Sequence, residues 1–190
     1  MIQHSDKLHY SHNIRFALSN DAMQMHSVER QTYETHCWSL KSFKLEIENL
    51  YSKYIVCEDL STNKSITGYT GFWIVGDEGH ITTMVVSPNI RRNHIADILL
   101  YSSILIANRL NIKWLTLEVR ISNIAAINLY NKFKFHQLGI RKNYYHNNNE
   151  DALILWTDNI NNLNYLNFTK DIISPYLKNF NIADILNYSP

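Results

Sequence analysis

The stretch Ile81–Asn131, ITTMVVSPNIRRNHIADILLYSSILIANRLNIKWLTLEVRISNIAAINLYN, decides the fold. A strand from Ile81 to Val86 runs through Ser87-Pro88 into a basic turn, Arg91-Arg92-Asn93-His94-Ile95-Ala96. A helix follows to about Asn108, with Ile95, Ile98, Leu99, Leu105 and Ile106 as its apolar stripe. A second strand, Ile112 to Val119, ends in Leu117-Glu118-Val119-Arg120, and Ser122-Asn123 opens another helix that carries Ile127 and Tyr130. This is a strand–helix–strand–helix unit. It has an anion-ready helix start after its first strand and a carboxylate at the C-terminal end of its second.

That pattern points to a site for a phosphate-bearing cofactor beside a general base. A helix N-terminus presents unpaired N–H groups and the positive end of its dipole, and Arg91 and Arg92 add charge there. The same turn also reads as a solvated basic helix start. In open α/β sheets ligands gather at the carboxyl ends of strands. Glu118, alternating onto one face with Trp114 and Thr116, is therefore a candidate base; a plain ion pair with Arg120 or a lysine is the alternative. Asn123, Ile127 and Tyr130 share a helix face. If that face looks toward the sheet end, the Tyr130 phenol points near Glu118. The competing reading is a core tyrosine with a satisfied hydroxyl.

Outward from this unit, Ile14 to Leu18 predict a short strand, and Ser19-Asn20-Asp21 offer N-cap oxygens to a helix from Ala22 to about Thr35. Ser39 caps a second helix, Leu40 to about Asn49, with Phe43, Ile47 and Leu50 on one face. An antiparallel meander follows: Tyr54 to Cys57, Ser65 to Val75, then His80 to Val86 after the turn Gly76-Asp77-Glu78-Gly79. Beyond the second core helix, strands from about Phe135 to Tyr145 and Asp151 to Trp156 flank the polar Asn147-Asn148-Asn149 turn. Residues 158–190 are Asn-rich, with Ser174-Pro175 fitting a helix start and Ile182, Ile185 and Leu186 at helical spacing. They predict a helical appendage packed on the domain or on a second subunit. The expected division is a loose segment 1–12, an α/β domain 13–157 and a helical extension 158–190.

Composition narrows the classes. At 190 residues and 45% hydrophobic, the chain suits one domain with an appendage. A formal net charge of +1 lacks the basic surplus of a nucleic-acid platform. The longest apolar stretch is too short and too interrupted to span a bilayer. Cys37 and Cys57 have no paired spacing and predict two free, buried thiols, and the nine scattered His suggest no metal site. A soluble protein of a reducing compartment, monomeric or weakly dimeric, is expected.

Taken together these residues resemble the GCN5-related N-acetyltransferase (GNAT) superfamily, and within it the bacterial branch that acetylates the N-terminal alanine of a small-subunit ribosomal protein. The resemblance covers roughly residues 13–157. It is most specific over Leu117 to Arg120, Ser122-Asn123, Ala125 to Ile127, Leu129-Tyr130, Phe133, Phe135, Arg141 to Tyr145 and Glu150 to Ala152; Trp38-Ser39 and Val86-Ser87-Pro88 also match. It implies an α/β GNAT fold: a central mixed, mostly antiparallel sheet flanked by helices on both faces. It implies acetyl-CoA as donor and a primary amine as acceptor, with direct transfer and no metal. Backbone groups of Met84, Val85 and Val86 would pair with the pantetheine arm, and Arg91, Arg92, Asn93, His94, Ile95, Ala96 and Asp97 would form the pyrophosphate turn. Asn123 would contact CoA, Glu118 would be the general base and Tyr130 the general acid. Trp38, Tyr144 and Tyr145 would face the acceptor.

One position departs from the family motif, since His94 stands where the motif has glycine. The sequence therefore leaves two other readings open: an acetyltransferase of lysine side chains or small amines, and a catalytically weak acyl-CoA-binding or interaction protein. The Asn- and Ile-rich, Gly-poor usage also suits an organelle genome, so a plastid stroma is one expected setting and a bacterial-type cytoplasm the other.

Overall fold

The computed structural model describes residues 10–33 and 37–190. Strand β1 (His12–Phe16) leads through a 3-10 turn (Ser19–Asp21) into helix α1 (Ala22–Thr32) and then helix α2 (Leu40–Glu48). The meander is β2 (Ser52–Asp59), β3 (Ser65–Val75) and β4 (Glu78–Val86). Helix α3 (Ile95–Arg109), β5 (Trp114–Arg120), α4 (Ile124–Lys132), β6 (Phe135–Tyr145) and β7 (Glu150–Thr157) follow. The extension holds α5 (Leu163–Ile173), the two-residue β8 (Phe180–Asn181) and the short α6 (Ala183–Leu186).

One eight-stranded sheet runs β6-β7-β5-β4-β3-β2-β1-β8. Only β4–β5 and β1–β8 are parallel; the other neighbours are antiparallel. This is the mixed, mostly antiparallel α/β sheet expected, with helices on both faces. Strand alternation builds the two cores. Tyr54 and Val56 join Met25, Phe43 and Tyr69 under α1 and α2, while Ile55 and Cys57 join Phe72 and the α3 side chains on the other face.

Helix α3 is buried nearly all round, from Ile95 and Ile98 through Leu100, Tyr101 and Ile104 to Ala107. A single stripe would bury less. The difference comes from the extension: α5 and α6 lie on α3 and β1. The Arg109 guanidinium ties down its end by donating to the carbonyls of Ile185 (2.7 Å), Leu186 and Tyr188 (2.6 Å). The appendage thus packs on its own domain and adds a strand, β8, that the sequence did not announce.

Several local expectations change. Asp21 does not cap α1 with its side chain; the carboxylate accepts instead from the Leu18 N–H (2.7 Å) and from Arg15 (2.6 Å). Residues 34–36, at the expected end of α1, lie outside the described residues, as do residues 1–9 of the expected loose N-terminal segment. Ser39 caps α2 as expected, accepting from the Ser42 N–H (3.0 Å). Leu50 falls past the helix and is 83% exposed, because the chain turns at Asn49 to enter β2. Ser174 ends α5 rather than starting a helix, and a 3-10 turn (Leu177–Asn179) follows Pro175. Both cysteines are free, but Cys37 is only half-buried.

Candidate active site

The site begins with a defect in the sheet. Strands β4 and β5 pair only at Glu78–Trp114, Gly79–Leu115 and His80–Thr116. Beyond that point β5 continues alongside β7 as far as Arg120, and β4 continues alongside β3 to Val86. Opposite Gly71 and Phe72 the register slips: Gly71 faces Thr83 and Phe72 faces Ile81, leaving Thr82 as the extra residue on β4. A bulge bends its strand and increases the local twist, which turns β4 away from β5. Thr82 secures the bulge by donating its hydroxyl to the Gly71 carbonyl (3.2 Å).

The strands splay into a groove of about 890 Å³. Ile81 to Met84 form one wall and Leu117 to Arg120 the other, with Asn123, Ala126 and Tyr130 from α4 alongside. Trp38, Tyr144 and Tyr145 also line the groove. Of the residues expected at the site, Glu118, Tyr130, Asn123, Met84, Trp38, Tyr144 and Tyr145 therefore share one groove. Val85 and Val86 do not line it: the Val85 side chain belongs to the core under α1 and α2, so any role at the groove is left to its backbone.

Glu118 carries the focus of charge. Its side chain is 6% exposed and is held at both oxygens: His80 Nε2 lies 2.9 Å from Oε2, and Arg141 Nη2 lies 3.1 Å from Oε1. Arg120, the partner the sequence offered as an alternative, is engaged elsewhere. Side chains alternate along a strand, so Arg120 shares the Glu118 face but reaches the β6–β7 hairpin. There it donates to Glu150 (2.9 Å), Asn148 (3.0 Å) and Asn147 (3.0 Å), and its guanidinium stacks 3.7 Å over the Tyr145 ring. Glu150 also accepts from the Ser122 N–H (2.9 Å). The hydrogen bonds from Ser122, Asn148 and Arg120 hold the Glu150 carboxyl down to about 2. This network pins the hairpin over the groove.

Tyr130 is buried, its ring 5.4 Å from that of Phe135, and burial pushes its phenol well up. A phenol so placed keeps its proton at neutral pH. Burial raises the Tyr145 phenol to about 12. Asn123 caps α4, its side-chain oxygen accepting from the Ala126 N–H (3.2 Å). Across the groove, Glu29 accepts from the Trp38 N–H (2.8 Å), and burial raises its carboxyl above the ordinary value.

The basic turn lies past the end of β4, outside the groove walls. A 3-10 turn (Pro88–Ile90) precedes it. Arg91 donates from Nε to the Val86 carbonyl (3.3 Å) and Asn93 donates to the Ile90 carbonyl (3.1 Å). Arg92 and His94 both take positive φ, 67° and 60°. His94 is the N-cap of α3 in the left-handed region, a conformation costing a side-chain-bearing residue roughly 1–2 kcal/mol. The Ile98 N–H bonds back to the His94 carbonyl (3.1 Å). The N–H groups of Ile95, Ala96 and Asp97, one turn earlier, have no such partner within the helix. Asp97 is turned aside, accepting from Lys132 Nζ (2.7 Å) and contacting His94 Nδ1 (3.3 Å).

Sequence reasoning missed His80, Glu29 and the contact of Arg141 with Glu118. His80 stands beside Thr116, two residues short of Glu118, only because β4 and β5 are parallel neighbours. No local spacing carries that signal.

The sequence model of the Acetyltransferase (GNAT) family matches residues 18–135. A Bacillus subtilis (strain 168) protein provisionally named ribosomal protein bS18-alanine N-acetyltransferase is 38% identical over 137 residues, 72% of this chain and 88% of that one. An N-alpha-acetyltransferase of Saccharolobus solfataricus is 38% identical over 79 residues, 41% of this chain and 47% of its own. The crystal structure of the ribosomal-protein-S18-alanine N-acetyltransferase from Escherichia coli superposes with a TM-score of 0.69 at 26% identity, covering 77% of this chain and 93% of that one. The matched region contains both walls of the groove, the turn before α3, and Tyr130, so the splayed sheet and the sequence lead to one assignment: this chain belongs to the GNAT family of acetyltransferases and is an N-acetyltransferase.

Proposed function

We propose that the protein moves an acetyl group from acetyl-CoA to the α-amine of a protein N-terminus. The observation that carries this reading is Glu118, a buried carboxylate gripped by His80 and Arg141 in the wall of the splayed β4–β5 groove that Tyr130 also lines. On this reading the unpaired side of β4 from Thr82 to Val86 offers backbone groups to the pantetheine amides. The N–H groups of Ile95, Ala96 and Asp97, with Arg91 and Arg92 nearby, receive the diphosphate.

In the reaction Glu118 takes the proton from the acceptor ammonium, and the free amine attacks the thioester carbonyl. A backbone N–H near Val86 faces the developing oxyanion. As the tetrahedral intermediate collapses, the C–S bond breaks, Tyr130 gives its proton to the thiolate, and the second proton of the attacking nitrogen passes to the tyrosinate left behind, so that Tyr130 is restored. Holding both reactants in one groove supplies much of the rate, so no covalent enzyme intermediate is needed.

The names of the relatives make an N-terminal alanine of ribosomal protein bS18 the first acceptor to test. The open, aromatic rim of Trp38, Tyr144 and Tyr145 supports a peptide over a small amine. The Asn-rich, Gly-poor composition supports a plastid setting. The deciding experiment is calorimetric titration with acetyl-CoA beside a desulfo-CoA control, followed by acetylation of N-terminal and lysine-bearing peptides. Micromolar binding and transfer to the α-amine, abolished in Glu118→Gln, are expected. Absence of binding up to millimolar acetyl-CoA refutes the reading.

A further inference from the structure

The extension reaches the turn before α3 through Tyr176. Its ring lies flat on the His94 imidazole, with centroids 3.5 Å apart and planes 12° apart. Lys132 Nζ, from the end of α4, sits 5.5 Å from the same ring and 2.7 Å from Asp97, which in turn contacts His94. Three segments remote in sequence thus close around one residue. That residue, His94, holds a left-handed backbone conformation in which a side chain is disfavoured and glycine is not. The matched family region ends at residue 135, so Tyr176 belongs to a part of the chain outside it.

We propose that Tyr176 is a positioning residue for the diphosphate-binding turn. By stacking on the imidazole it does two things. It holds His94 in the left-handed conformation that aims the N–H groups of Ile95, Ala96 and Asp97 together. It also keeps the imidazole out of the space that a glycine would leave open to a phosphate. Asp97 and Lys132 brace the far edge of the ring pair, the carboxylate contacting the imidazole and the ammonium facing the phenol ring. The extension therefore substitutes tertiary contact for the missing glycine. This rests on the reading of the turn as an acetyl-CoA site.

The test is a double-mutant cycle on the full chain, read as Kd for acetyl-CoA by calorimetry and as the split between KM and kcat. Tyr176→Phe keeps the stack and stays within twofold of the wild type. Tyr176→Ala raises both Kd and KM for acetyl-CoA about tenfold, equivalent to about 1.4 kcal/mol, with kcat unchanged. His94→Gly adopts the turn unaided, and its own Kd is the reference for the second arm of the cycle. In that background Tyr176→Ala has no further effect, because nothing is left to position. Wild-type Kd in Tyr176→Ala, or an equal loss in both backgrounds, overturns the proposal while leaving the acetyl-CoA reading intact. Absence of acetyl-CoA binding by the wild type and by His94→Gly alike overturns both. If Tyr176→Ala melts before it can be titrated, Tyr176→Leu, which covers the same surface without an aromatic face, takes its place with the same expected loss.

Discussion

Replacing His80 by Leu tests whether Glu118 acts as a base held by its neighbours. Glu118 is nearly closed off from solvent and each oxygen has one close partner. The two partners are unequal. Arg141 is 55% exposed, so water screens it and replaces it cheaply, and such a pair contributes about 0.2–1 kcal/mol. His80 is 28% exposed and lies 2.9 Å away; a buried acceptor stripped of its partner loses about 1–3 kcal/mol. If that support is felt in the transition state, kcat/KM falls roughly 10- to 100-fold in His80→Leu, which has no donor, and less than about fivefold in Arg141→Ala. Glu118→Gln removes the proposed base and is expected to cost about 10²- to 10⁴-fold. The decisive variant is His80→Leu combined with Glu118→Gln. Residues that act as a unit are not additive, so the double variant is expected to be no slower than Glu118→Gln. The assay is steady-state transfer to an N-terminal peptide, followed by release of free thiol, with acetyl-CoA Kd as the control for binding. Additive losses, or a larger loss in Arg141→Ala than in His80→Leu, refute the reasoning.

Three further outcomes concern the scaffold. Burial holds the Glu29 carboxyl above its ordinary value, so its ionisation opposes folding; the penalty is absent at low pH and grows as pH rises from the ordinary carboxylate value through the raised folded one. Thermal melts of Glu29→Gln should therefore show a gain over the wild type at pH 8 that vanishes at pH 4. A Cβ at Gly79 would sit 2.5 Å from Leu115 Cδ2, at the only paired part of β4 and β5, so Gly79→Ala should cost about 1–3 kcal/mol by overpacking and lower Tm by roughly 2–4 °C per kcal/mol. Arg109→Ala removes the donor to the carbonyls of Ile185, Leu186 and Tyr188. Hydrogen exchange should quicken on the order of 10-fold or more across α6 and stay unchanged in β5.

Much of the site was legible because its residues sit close together along the chain. Glu118, Asn123 and Tyr130 fall within thirteen residues, and a strand end followed by a capped helix brings them near one another whatever surrounds them. The Ser39 cap and the antiparallel meander were legible for the same reason: each rests on a few neighbouring residues. Asp21 misled because the same carboxylate that suits an N-cap is the better partner for Arg15, which only β1 places within reach. Ser174-Pro175 misled because Pro after a helix end is as natural as Pro at a helix start.

Alternation, capping and turn chemistry are local and period-bound, so the chain alone carries the α/β class, the order of strands and helices, and the closeness of Glu118, Asn123 and Tyr130 at one groove. Which charges meet is a matter of long-range packing. The parallel contact of β4 with β5 brings His80 to Glu118. The pairing of β6 with β7 and of β7 with β5 brings Arg141 to the other oxygen, and the return of the extension over α3 lays Tyr176 on His94. Those partners are separated by 38, 23 and 82 residues. Contacts of that span are set by which strands and helices bury their apolar faces together, a choice made by the whole core and not written at any one position.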